Sequence, residues 1–71
     1  MFIRYTSGDG SEYICNLSAV SKIQVVYPDG ANGRRVYALW FSPQDIQLVD
    51  LDPANPVMQQ LDSLYANAVQ V

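Results

Sequence analysis

The chain reads as an α+β domain: a mainly antiparallel sheet of four or five strands, with one C-terminal helix packed on one face. Three observations predict it. Short runs alternate polar and apolar side chains from residue 2 to about residue 51, which is the period of a strand. Turn-forming clusters, SGDG and PDGANG, separate those runs. Apolar residues then recur at helical spacing from about residue 56 to 69. The 71 residues make a single domain, with the sheet over 2–51 and the helix at its end.

The first strand is FIRYT, with Ile3 and Tyr5 on one face and Phe2, Arg4 and Thr6 on the other. EYICNL repeats the pattern, with Tyr13, Cys15 and Leu17 opposite Glu12, Ile14 and Asn16. SGDG between them makes a hairpin. At NLSA the alternation breaks. Asn16 and Ser18 can bond neighbouring backbone groups there, so the chain turns a corner between the apolar residues Val20 and Ile23. SKIQVVY resumes as a strand with Ile23, Val25 and Tyr27 on one face.

PDGANG carries one proline and two glycines and predicts a hairpin loop. In RRVYALWF both alternating sets are apolar, which places this strand at the centre of the sheet or in an interface. SPQD suits either a turn or a helix N-terminus. Across 43–51 a fifth strand is favoured over a helical turn. Asn55 can cap a helix whose first residue is Pro56. Val57, Leu61, Leu64, Tyr65, Ala68 and Val69 form its apolar stripe, so Leu61 and Leu64 are expected to be buried against the sheet.

Composition narrows the function classes. Four Lys/Arg against seven Asp/Glu give a net charge of −3, with no basic footprint for nucleic acid. No apolar run reaches the length of a membrane span, and MFIRYTSGDG lacks the basic-then-apolar form of a secretory signal. One cysteine excludes an internal disulfide and suits a reducing cytoplasm. With no histidine, a metal site has few donors, and no cofactor is expected.

Chemistry is equally sparse. Cys15 has no histidine to activate it and reads as a buried structural thiol. Asp50 and Asp52 could face a cation or a helix N-terminus, yet solvated loop carboxylates are the simpler reading. Asp29 and Asn32 in DGANG lack the spacing and terminal glutamate of a calcium loop. The glycines at 8, 10, 30 and 33 do not open a helix as a phosphate loop would. The strand aromatics Tyr5, Tyr13, Tyr27, Tyr37 and Trp40 can fill a core, form an interface or stack bases.

The pattern G-x-x-Y-x-x-N-x-x-x-V-x-x-I, from Gly10 through Tyr13, Asn16 and Val20 to Ile23, resembles the opening of the small flagellar FlbD-type proteins. The resemblance spans 14 of 71 residues. The PDGANG loop, the Pro-rich break and the added C-terminal helix depart from that family, and no functional residue carries over. It implies a small β-rich protein acting through partners.

The expectation is therefore a non-catalytic protein–protein interaction module, not an enzyme. It would be cytoplasmic and self-associating, with Tyr37 and Trp40 as candidate interface residues. Only 15% of residues are charged, and one helix covers only one face of a sheet, so a second copy is the simplest cover for the other. The alternative is a small nucleic-acid-binding or regulatory protein using the sheet aromatics, which the acidic balance disfavours. A small enzyme with its site across a subunit interface is a third reading.

Overall fold

The computed structural model describes residues 1–31 and 33–70. Among these residues the fold is α+β, with five antiparallel strands and one C-terminal helix. The strands are β1 (Phe2–Thr6), β2 (Glu12–Asn16), β3 (Lys22–Val26), β4 (Val36–Ser42) and β5 (Asp45–Val49). The helix is α1 (Pro56–Asn67). The expected single sheet is corrected to two: β1 pairs β2, and β3, β4 and β5 form a separate sheet in that order.

The corner between Asn16 and Val20 divides them. Asn16 Oδ1 accepts from the Ser18 amide at 3.0 Å. It thereby caps a single 3₁₀ turn, Leu17–Ala19, that redirects the chain. The ladder of the first hairpin stops there, and the second starts with the Ser21 amide donating to the Trp40 carbonyl at 2.8 Å.

Both longer loops use the same turn chemistry. In Ser7–Gly10 and in Tyr27–Gly30 an Asp-Gly pair closes a turn, the glycine amide donating to the carbonyl three residues back at 3.0 and 3.2 Å. Gly10 and Gly30 sit at φ of +88° and +101°, which a side chain would strain. SPQD resolves as a turn rather than a helix start. Ser42 pairs Asp45 across Pro43 and Gln44, and the Gln44 amide donates to Ser42 Oγ. A register shift between Trp40 and Ser42 leaves Phe41 as an extra residue, a bulge. The 43–51 segment therefore holds a strand.

Residues from both sheets and the helix share one core. Ile3, Tyr5 and Cys15 of the first hairpin meet Tyr37, Leu39 and Val49 of the second sheet and Met58 and Leu61 of α1. Asn55 caps the helix as expected, its Oδ1 accepting from the Val57 amide at 2.9 Å, with Pro56 at the first position. Two expectations for the helix are corrected. It ends at Asn67 rather than 69, since Ala68 is already extended and Val69 is 89% exposed, leaving no burial to hold another turn. Leu61 is buried at 1% exposure, but Leu64 is 39% exposed, and Met58 takes the second core position instead. Met58 and Leu61 stand three residues apart, so they share the core-facing side.

Candidate interaction surface

The alternation of β4 sends its side chains to two faces of the three-stranded sheet. Tyr37 and Leu39 point into the core, with Val25 of β3 and Val49 of β5 beside them. Val36, Ala38 and Trp40 point the other way, outside the core cluster. The two candidate interface residues thus lie on opposite faces. Tyr37 is 1% exposed, so its ring is core material and not contact surface. Its hydroxyl donates to Asp62 of α1, and Arg35 holds the same carboxylate oxygen at 3.2 Å. Burial pushes the Tyr37 hydroxyl above its ordinary range, and the bond to Asp62 adds to that.

Trp40 is half-buried on the outer face. The Lys22 ammonium lies 4.1 Å from its ring centre, and its Nε1 donates to Gln24 Oε1 at 3.3 Å. Such an exposed cation–π contact is worth about 0.5–1 kcal/mol. Trp40 faces Ile46 of β5, and Ala38 faces Leu48. Ile46 and Leu48 are 41% and 59% exposed. These side chains make the outer face partly apolar.

A second apolar feature, which sequence reasoning missed, is a groove of about 160 Å³ between β3 and the C-terminal half of α1. Its lining includes Ile23, Val25, Leu64 and Tyr65 and carries no charged residue. The signal was present in the helix stripe. Leu64 and Tyr65 both lie on that stripe and Leu64 was expected in the core, whereas only the stripe's first half reaches it. Arg35 stacks over the Tyr65 ring at 4.2 Å and holds the rim.

The remaining candidates have structural roles. Arg34 bonds Asp29 at 3.1 Å and also Asp50, tying the β3–β4 loop to the end of β5. Asp52 Oδ1 accepts from the Ala54 amide at 2.8 Å, which shapes the turn before α1. Asn32, the second oxygen donor of the DGANG loop, lies outside the described residues. Among the described residues no three His, Cys, Asp or Glu side chains converge as a metal site would require. Cys15 is buried, and burial raises its thiol above the ordinary range, with Asp45 adding to the effect.

Two further strand aromatics are engaged as well. Tyr5 and Tyr13, opposite each other across the first hairpin, stack at 5.6 Å. The Tyr5 hydroxyl reaches the Leu48 carbonyl at 3.4 Å. Among the described residues no helix is long and apolar enough to cross a membrane. No protein-family model, curated protein or solved structure matches the chain.

Proposed function

We propose that this protein is a non-catalytic interaction module whose first partner is a second copy of itself. The observation that supports it is the apolar surface left around the β3–β4–β5 sheet. Trp40, Ile46 and Leu48 stand on the outer face, and Ile23, Leu64 and Tyr65 at the β3 side. We take α1 to cover only the inner face, where Met58 and Leu61 are buried. Contiguous apolar patches beyond a few hundred Å² are uncommon on monomers and mark contact sites. A sheet-to-sheet or an edge-to-edge dimer would remove part of this surface from water, and closed two-fold dimers are the commonest assemblies. The nucleic-acid reading gains nothing from the side chains, because Tyr5 and Tyr13 stack on each other, Tyr37 is enclosed and Trp40 lies beneath Lys22.

Light scattering after size-exclusion chromatography, run across the micromolar range, tests the proposal. The expected result is a particle of two or more chains that dissociates on dilution. A mass of one chain throughout that range overturns it.

A further inference from the structure

The β3–β4–β5 sheet has two outer strands, and they are not equivalent. Along β5, the Tyr5 hydroxyl bonds the Leu48 carbonyl, so the first hairpin reaches this side of the sheet. Asp45 and Asp50 also bracket that strand with carboxylates. β3 is different. Among the described residues, no backbone bond joins Lys22–Val26 to anything other than β4. Every second N–H and C=O of the strand is therefore open on the far side. Natural sheets blunt such an edge with proline, a bulge or repeated charges. Lys-Ile-Gln-Val-Val has no proline, no register shift and one charge, at its first residue. The ammonium of that residue is drawn onto the outer face over Trp40.

Resting on the reading that the chain self-associates, we propose that the seam is β3 against β3 of a second copy, antiparallel about a two-fold axis through Gln24. A two-fold pairing that uses all five residues places Gln24 opposite Gln24, Ile23 opposite Val25 and Lys22 opposite Val26. No like charges face each other, and the one cation meets an apolar side chain. Residues opposite each other in an antiparallel pair share a face. The partner's Ile23 and Val25 therefore arrive beside the uncharged groove between β3 and α1 and cover Ile23, Leu64 and Tyr65 of the first copy.

Charge selects a second copy over other strands. Net charge is −3, so two chains repel except where carboxylates are absent. Neither β3 nor the groove lining contains a carboxylate. A basic segment would find no counter-charge in that lining, and an acidic one would find only Lys22, already held by Trp40, and Arg35 at the rim, already paired with Asp62. The edge fits a largely apolar strand free of carboxylates, and its own copy is one. The product is a continuous six-stranded sheet.

The test uses two variants at the axis. Gln24→Glu keeps an acceptor for Trp40 Nε1, and Gln24→Lys reverses the sign. Gln24 is exposed, so both variants keep the fold, checked by circular dichroism. Like charges directly opposite should weaken each homodimer roughly two- to fivefold in sedimentation equilibrium. Mixing the two should restore or exceed wild-type association, because unlike charges then face each other. A wild-type dimer, with both variants unchanged and no gain on mixing, overturns the seam while leaving self-association standing. A wild-type monomer at every concentration overturns both, and leaves the edge to a strand from a different protein.

Discussion

At the scale of single residues, titration and reactivity report on the core. Cys15, Tyr5 and Tyr37 all have their acid groups raised, in each case chiefly by burial. The folded state then keeps protons that the unfolded chain, with ordinary values of 9.0 for the thiol and 10.0 for the hydroxyls, has released. Fewer protons on the unfolded chain make unfolding more favourable as pH rises. Stability should therefore be full below about pH 9 and decline as pH climbs beyond 9 to 10, as followed by urea denaturation at stepped pH. A midpoint that stays constant into that range would contradict the burial of these groups. Cys15 should react slowly with a thiol reagent in the native protein and fast in denaturant. Fast native labelling would place the thiol at the surface. The cysteine's burial was legible from its place in the alternation of EYICNL. The role of Tyr37 was not, because in RRVYALWF both alternating sets are apolar and local pattern cannot say which set faces the core.

At the scale of elements, the helix gives the sharpest contrast. Leu61 and Leu64 belong to the same sequence stripe, yet only Leu61 is enclosed. Leu61→Ala should cost about 2–5 kcal/mol, the usual range for emptying a packed leucine site. Leu64→Ala should cost well under that, since its side chain already meets water at the rim of the groove. Chemical denaturation of the two variants measures the difference. Equal costs would mean that the second half of α1 is as closely packed as the first. The start of this helix was readable because Asn55 and Pro56 act locally, through one capping bond and one restricted φ. Its end was not, because Ala68 and Val69 continue the apolar pattern and only the absence of a packing surface stops the turn.

At the scale of the whole molecule, charge and apolar surface are segregated. The arginines of the 27–35 loop and strand entry are matched by Asp29, Asp50 and Asp62, whereas the β3 side carries almost no charge. If two copies associate there, salt screens only the general repulsion between acidic chains. Dimer affinity should then hold steady or rise from low to physiological salt, read by sedimentation at both. Affinity that falls steeply with salt would point to an ionic contact and away from an apolar one.

The sequence by itself determined the first four strands, the corner, the two Asp-Gly turns and the helix start, and left 43–51 between a strand and a helical turn. Each depends on side chains within a few residues of one another: Asn16 on its own turn, Asp-Gly in two loops, Asn55 and Pro56 at the cap. Only the tertiary structure decided that the strands divide into two sheets. It also decided which face of β4 meets the core, so that Tyr37 is enclosed and Trp40 is not, and that half of the helix stripe lines a groove. Those outcomes turn on which surfaces meet across long stretches of chain. An apolar residue carries the same preference for burial whether its cover comes from its own chain or from a partner.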